Sequence, residues 1–369
     1  MSRTVAVLLC AGGSFRMGFD KLLTPIAGKT AIERSMDALL LGGAEEIVFA
    51  VSDATRAFVE RMSCPVPRRI VAGGETRAQS VKHALDAVEA ADIVAIHDAA
   101  RCMVSPETVR QTIQSAKEFG SGVAAGKVTD TIVCLDGAAE TLDREKLLRM
   151  QTPQTFRFDR IRQAYENGDL SGVTDDCALY IAAGYEPRFV LTGGEQANRK
   201  LTTGEDWQHA LAIHARFGTG FDTHRLAEGR RLILGGVEIP FEKGLLGHSD
   251  ADVLSHAIID ALLGASGLGD IGRLFPDTDA AYKDADSVAL LREAVRRIEA
   301  KSFRVAHVDA TIICEQPKIK PFAAAMQARL ADAMHISPDA VSIKATTTEG
   351  MNDEGKGLCI SASAVASLV

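Results

Sequence analysis

The sequence has no cysteine pair in C-x-x-C spacing, no long apolar run, no excess of positive charge and no Pro- or Ser-rich linker. Its seven cysteines, Cys10, Cys64, Cys102, Cys134, Cys177, Cys314 and Cys359, are odd in number and scattered. That argues against a disulfide framework and against a cysteine-built zinc site, and reduced thiols suit a cytoplasmic protein. The apolar run Val5–Cys10 is too short for a signal-peptide core or a membrane span, and a Gly-rich turn comes directly after it, so no membrane partner is expected. A net charge of -8 makes the bulk field a poor attractor for nucleic acid. Anions must instead be met at local sites built from Lys, Arg, backbone N–H groups or metal. Internal repeats and low-complexity tracts are absent as well.

What is present is an ordinary globular composition, 46% hydrophobic and 24% charged over 369 residues. At about 150 residues per domain, that length predicts two domains, each able to bury a core. The first part alternates strand-like and helix-like segments. Strands are expected at Thr4–Cys10, Glu46–Val51, Arg69–Ala72 and Ile93–Ile96, and helices at Thr30–Leu41, Asp53–Met62 and Arg77–Ala90. The alternation predicts an α/β fold with a mostly parallel sheet covered by helices on both faces. A helix from Gly204 to Ala215 carries the only Trp, Trp207, and Gly218 and Gly220 are expected to break that helix. The boundary is placed near Arg216, giving domains 1–215 and 216–369. The second domain reads as α+β: a hairpin at Gly235-Gly236, helices at Asp250–Leu263, Ser287–Glu299 and Pro321–Met334, and strands at His307–Cys314, Val341–Thr347 and Leu358–Val365.

Three segments of the first domain sit where an α/β sheet binds ligands. Ala11–Gly18 comes after the first strand, and its glycines let backbone N–H groups converge on an anion, with Arg16 and Lys21 adding charge for a triphosphate. The spacing is neither a Walker A loop nor G-x-G-x-x-G, and an ordinary Gly-rich turn with solvated cations reads equally well. Gly73–Ser80 opens a helix and can hold a polar ligand, or is a simply capped helix start. His97-Asp98-Ala99-Ala100-Arg101 succeeds an apolar strand, where an Asp can hold Mg²⁺ against phosphates or merely cap a turn.

Taken in order, these segments resemble the 2-C-methyl-D-erythritol 4-phosphate cytidylyltransferase family over about residues 3–215. The runs Asp130-Thr131, Arg144, Gln151–Gln154, Thr174-Asp175-Asp176 and Asn198-Arg199-Lys200 continue the likeness. The resemblance implies a Rossmann-like nucleotidyltransferase domain that joins CTP and methylerythritol phosphate into a CDP-alcohol and pyrophosphate. It implies that Arg16, Lys21 and Lys200 stabilise the transition state and that Gly74, Glu75 and Ser80 contact cytosine. Asp98 would meet ribose or Mg²⁺, and Arg101 would bind substrate. Thr131, Arg144 and Thr174 would seat methylerythritol phosphate, with Arg144 reaching across a dimer. Two departures stand out: Asp20-Lys21-Leu22 replaces the usual Pro-Lys-Gln after a shortened loop, and Cys102 stands where a Pro is usual.

In the second domain, Asp222 and His224 are two apart on an extended segment and so project to one face. With His256 they can make a three-ligand zinc site that leaves one position open for chemistry. Asp252 and Asp260, four residues either side of His256, can share its helical face and orient the ring. Alternatively, Asp222 caps a turn and the histidines are unrelated.

Further runs, Gly235–Pro240, Gly247–Asp252, Gly269–Gly272, Phe275–Asp279 and Lys344–Glu349, accompany that constellation. Together they resemble 2-C-methyl-D-erythritol 2,4-cyclodiphosphate synthase over about residues 217–369. The resemblance implies attack of a 2-phosphate on the β-phosphorus of the CDP-alcohol, with CMP leaving. Zn²⁺ would sit at Asp222, His224 and His256, and Mg²⁺ at Glu349. Asp270 and Gly272 would contact ribose, and Lys318, Ala345 and Thr347 would line the cytidine pocket, Thr347 at a catalytic position. His248 and Ser249 would cover the diphosphate, and Asp277 would also bind substrate. Mn²⁺ or Co²⁺ suit similar ligands. A homo-oligomer is implied: a trimeric C-terminal domain joined to a dimeric N-terminal one, which a hexamer would satisfy. The segment Gly350–Gly357 is short and lacks the aromatic that helps close a central cavity in relatives. A separate kinase must act between the two reactions. Two other readings are a sugar-nucleotide pyrophosphorylase fused to a metal-binding module, and a zinc scaffold that senses CTP. Gly74–Ser80 and Thr174–Asp176 oppose the first, and Lys21 and Lys200 the second.

Overall fold

The computed structural model describes residues 2–12, 18–137, 139–193, 198–247, 249–276 and 285–369. The chain divides into two compact units, Met1–Pro25 with Lys29–Ala210, and Ile26–Gly28 with Leu211–Val369.

In the first unit the strands are β1 (Thr4–Cys10), β2 (Glu46–Val51), β3 (Arg68–Ala72), β4 (Ile93–Asp98), β5 (Ser121–Lys127), β6 (Ile132–Cys134), β7 (Glu140–Leu142), β8 (Leu148–Arg157) and β9 (Phe189–Leu191). The helices are α1 (Ala31–Leu41), α2 (Asp53–Arg61), α3 (Arg77–Asp86), α4 (Pro106–Phe119), α5 (Phe158–Asn167), α6 (Asp176–Ala182) and α7 (Gly204–Ile213). The seven-stranded sheet runs β3-β2-β1-β4-β8-β5-β9. β1 to β4 pair in parallel, and β8 lies antiparallel between β4 and β5. β1, β2 and β4 are buried along their whole length, as strands with both faces covered must be. Thr30, Ser52 and Thr76 begin α1, α2 and α3 with reciprocal capping boxes, satisfying N–H groups that the helices cannot.

Two of the boundaries that differ from the sequence reading bear on the first site. α3 stops at Asp86 because the N–H groups of Ala87 and Val88 tighten onto the carbonyls of Ala84 and Leu85. β4 continues past its apolar part, since His97 and Asp98 stay in register with Leu8 and Leu9 of β1. Asp98 is therefore held by the sheet ladder rather than by a loop.

The second unit contains β10 (Arg216–Glu228), β11 (Leu232–Leu234), β12 (Val237–Ile239), β13 (Lys243–Leu245), β14 (Val305–Ile313), β15 (Val341–Thr346) and β16 (Cys359–Leu368). Its helices are α8 (Val253–Ser266), α9 (Ile271–Leu274), α10 (Ser287–Glu299), α11 (Ala323–Met334) and α12 (Asn352–Gly355). The five-stranded sheet runs β13-β10-β16-β14-β15, antiparallel except for β14 with β15. Gly235 and Gly236 turn β11 into β12 with both φ angles positive, 58° and 70°, the requirement of a tight primed turn.

The helix α7 ends at Ile213, before Gly218 and Gly220, and both glycines lie inside the strand β10. A Cβ at Gly218 would fall 2.1 Å from the Ala261 carbonyl oxygen, and one at Gly220 would fall 2.0 Å from that of Ala257. Across the ladder they face Ala366 and Ala364 of β16, both buried. The glycines let the backbone of α8 settle directly on the strand. The opposite face of the sheet leaves Phe217, Phe221 and Val365 exposed.

Gly220→Ala therefore should lower the stability of the full chain by about 2 kcal/mol, the scale of core overpacking. Gly264→Ala, in open space on α8, should be neutral or raise it by up to about 1 kcal/mol. Denaturant unfolding of the two variants distinguishes them; equal stability would contradict the close approach.

Candidate functional sites

The first site lies at the carboxyl ends of β1 and β4. A cavity of about 330 Å³ is lined by Lys21, Gly74, Glu75, Arg77, Ser80, Asp98 and Lys200, among others. Ser80, on the first turn of α3, accepts the Gly74 N–H at 2.9 Å and donates to the Thr76 carbonyl at 3.0 Å. That fixes the turn between β3 and α3 as one wall.

Asp98 is the electrostatic centre of this cavity. One carboxylate oxygen accepts from Arg77 Nε at 3.0 Å and the other from Lys200 Nζ at 2.8 Å. Burial alone would push this carboxyl up, but the Arg77 guanidinium and the Lys200 ammonium hold it well below the usual carboxylate range. Arg77 is in turn fixed by a bidentate pair with Asp176, at 3.0 and 2.8 Å, and Tyr165 donates to Asp176 at 2.6 Å. Behind Asp98, its own N–H donates to Thr152 Oγ1, which lies 2.9 Å from His97 Nδ1. His97 Nε2 faces the Arg101 carbonyl at 3.3 Å. These contacts satisfy a neutral ring protonated on Nε2. Burial lowers the His97 pKa to about 4.

A second cavity of about 230 Å³ adjoins at Lys200 and is lined by Arg101, Arg149, Met150, Gln151 and Arg199. Arg101 donates to the Asn198 carbonyl at 3.0 Å, and its buried Nε has no hydrogen-bond partner among the described residues. The fold thus gathers Lys21, Gly74, Glu75, Ser80, Asp98 and Lys200 in one cavity and Arg101 beside it. Thr131, Arg144 and Thr174 line neither. Arg144 is exposed on a short 3-10 turn beyond the β6–β7 hairpin, donating to the Thr129 carbonyl at 2.8 Å. Arg16, His248 and Asp277 lie outside the described residues. Arg77 and Asp176 were not singled out from the sequence. Both sit inside motifs that were, and a buried carboxylate's need for a cation is the signal that joins them.

The second site joins β10 to α8. His224 Nε2 lies 3.0 Å and His256 Nδ1 2.9 Å from Asp222 Oδ2, and the two ring nitrogens are 3.4 Å apart. The three atoms converge within 4.8 Å. Burial would raise the Asp222 pKa, but its hydrogen bonds with both imidazoles and their charge hold it far below its ordinary value. Burial opposes charging of His256, but Asp222, with help from Asp252 and Asp250, raises its pKa overall. Two imidazoles and one carboxylate around a common point are a donor set that divalent zinc uses.

Asp252 and Asp260 do not orient His256. Asp252 is the N-cap of α8, fully buried, and its carboxylate takes the N–H groups of Gly235, Gly236 and Ser255. The N–H groups of the β11–β12 turn and that of Ser255 at the helix start draw it away from the ring. Asp260 accepts from the Ile271 N–H at 2.7 Å, at the start of α9. The other nitrogen of His256 faces Ser287 Oγ at 2.9 Å and Ser249 Oγ at 3.2 Å. Glu349 is not in the cluster; with φ at 55°, it accepts from Thr347 Oγ1 at 3.0 Å. Asp270 caps α9, whose next turn contains Gly272. Parallel pairing of β14 with β15, extended by the Cys314 N–H to the Thr346 carbonyl, sets the chain leading to exposed Lys318 beside exposed Ala345 and the segment containing Thr347.

Comparison with known proteins also finds two parts in the chain. Residues 4–216 match the family model described as 2-C-methyl-D-erythritol 4-phosphate cytidylyltransferase, and residues 215–369 match the YgbB family. The Bifunctional enzyme IspD/IspF of Anaeromyxobacter sp. (strain Fw109-5) is 44% identical over 380 residues, covering 99% of this chain and 98% of that protein. Its counterpart in Anaeromyxobacter dehalogenans (strain 2CP-C) is 42% identical over 381 residues, covering 100% and 98%. Among solved structures, the bifunctional IspDF from Campylobacter jejuni is 31% identical, covers 100% of this chain and 98% of that one, and has a TM-score of 0.49.

The buried His97 sets a pH dependence for the first unit. Its folded pKa is depressed, so the unfolded chain takes the proton first. The stability it contributes is complete above about pH 6.5 and is lost as pH falls through about 4. The loss should approach about 3 kcal/mol. Denaturant unfolding from pH 7 to 4 should show a steeper fall for the parent than for His97→Gln; parallel curves would contradict the assignment.

Proposed function

The chain belongs to the bifunctional IspD/IspF family, and from that premise we propose how its residues divide two reactions between two sites. The enzyme transfers CMP from CTP to 2-C-methyl-D-erythritol 4-phosphate, releasing pyrophosphate. It also cyclises 4-CDP-2-C-methyl-D-erythritol 2-phosphate to the 2,4-cyclodiphosphate, releasing CMP. Both reactions belong to the methylerythritol phosphate route to isoprenoids.

In the first unit, Lys21 and Lys200 share the charge that develops when the methylerythritol phosphate oxygen attacks the α-phosphorus of CTP. Asp98 positions Lys200, and Arg77 holds Asp98 in turn, so the ammonium is oriented before substrate arrives. Gly74 and Glu75 meet the cytosine, while Ser80 fixes the wall that carries them. The four cations around the adjoining cavity, Arg101, Arg149, Arg199 and Lys200, suit a phosphate ester. Arg16 completes the cation set from outside the described residues. Thr131, Arg144 and Thr174 line neither cavity of a single chain; Arg144 serves the site of a partner subunit.

In the second unit, Asp222, His224 and His256 hold Zn²⁺, and Glu349 holds Mg²⁺. The two ions supply Lewis-acid polarisation and charge neutralisation of the diphosphate. The nucleophile is already an ionised phosphate, so no general base is needed. Asp270, Gly272, Lys318, Ala345 and Thr347 receive the cytidine, Ser249 with His248 covers the diphosphate, and Asp277 also binds substrate. The first unit likewise uses Mg²⁺ with CTP.

The observation that carries this reading is the pairing, in separate units of one chain, of a cation-lined cavity with a three-ligand cluster. Assembly is supported by exposed apolar surface. The β6–β7 hairpin bears exposed Ile132 and Val133, and the second sheet leaves Phe217 and Phe221 uncovered. A dimer through the first and a trimer through the second support a hexamer. Among the described residues no helix is long and apolar enough to cross a membrane. The free cysteines support a cytoplasmic location.

Lys200→Ala should cut pyrophosphate release by about a hundredfold or more while leaving CMP release from the cyclisation substrate unchanged. His256→Ala should do the reverse. Both rates are measured on one preparation, and a variant that loses both activities while remaining folded would overturn the division.

A further inference from the structure

His256 can offer a lone pair to a metal through only one ring nitrogen, and the fold assigns that task to Nδ1. Nδ1 lies 2.9 Å from Asp222 Oδ2 and 3.4 Å from His224 Nε2, so it points to the common centre. Nε2 must then carry the proton and needs an acceptor on its far side. Neither carboxylate flanking His256 on α8 supplies one.

Ser287, the first residue of α10, fills that role. Its Oγ is 2.9 Å from His256 Nε2 and the residue is fully buried. The hydroxyl hydrogen is committed elsewhere: Ser287 Oγ donates to Asp250 Oδ1 at 2.5 Å, and the Ser287 N–H donates to Asp250 Oδ2 at 3.1 Å. This two-point grip leaves the Ser287 oxygen only its lone pairs to present to the ring. Ser249 Oγ also approaches Nε2, at 3.2 Å, but it is engaged by the Ala251 N–H as well.

We propose that Asp250 and Ser287 are positioning residues for the cyclisation site, acting as a relay that fixes the Nε2–H tautomer of His256 and keeps Nδ1 free to bind the metal. The inference rests on the reading that Asp222, His224 and His256 hold a divalent ion. Without the relay, the ring is free to take the other tautomer, which places a proton between itself and the ion. The relay acts on the imidazole and touches no substrate.

The test is zinc affinity, measured by chelator competition on the full chain, with cyclisation assayed alongside. Ser287→Ala should weaken zinc binding by about tenfold to a hundredfold, the usual effect of removing a group that orients a ligand. Asp250→Asn should weaken it similarly. The double variant should be no weaker than the worse single one, because the two residues act as one chain. Pyrophosphate release by the first unit reports that each variant chain is active. Ser287→Cys, near in volume and a poorer acceptor, carries the test if the alanine variant does not fold. If the parent binds zinc and the variants bind it equally tightly, the relay is overturned while the metal reading survives. If the parent itself binds no zinc, both fall. Additive losses in the double variant would also overturn the relay.

Discussion

A carboxylate drawn wholly or partly out of water must be met by cations or by several N–H donors, and each site is organised around one that satisfies this demand. In the first unit it is Asp98, gripped by Arg77 and Lys200. In the second it is Asp222, which meets two imidazole nitrogens at a point able to receive an ion. The difference between the sites comes from what compensates the charge. Under the proposed function, the side-chain cations at Asp98 suit a polyphosphate, and the two imidazoles at Asp222 suit a metal ion.

Both arrangements depend on backbone placement well away from the chemistry. Asp98 is held because β4 stays in the ladder with β1 for two residues beyond its apolar stretch. The cluster at Asp222 forms because β10 has no side chain at Gly218 and Gly220, so α8 can lie against it and bring His256 to the strand. The buried Asp252 fastens the start of α8 to the Gly235-Gly236 turn, which fixes where along the strand the helix begins. Stability and ligand geometry are thus consequences of the same contacts.

Much of this was legible in the sequence. Hydrophobic runs placed the strands, the alternation placed the parallel sheet, and Asp222 with His224 at a spacing of two announced one face of a strand. What was not legible depends on contacts between distant segments. Arg77 and Asp176 are 99 positions apart, and Ser287 and Asp250 are 37 apart. Nothing local marks either pair. Helical spacing suggested that Asp252 and Asp260 would support His256, but each meets a backbone N–H that spacing does not reveal. Gly218 and Gly220 read as breakers because a glycine needed for close approach looks the same in sequence as one needed for a turn.

The account is tested most directly by anomalous diffraction at the zinc edge from substrate-free protein equilibrated with zinc. It predicts one strong peak in each chain, in contact with Asp222 Oδ2, His224 Nε2 and His256 Nδ1, and none beside Asp98, whose charge is already met. A comparable peak at Asp98, or none at the histidine pair, would contradict it.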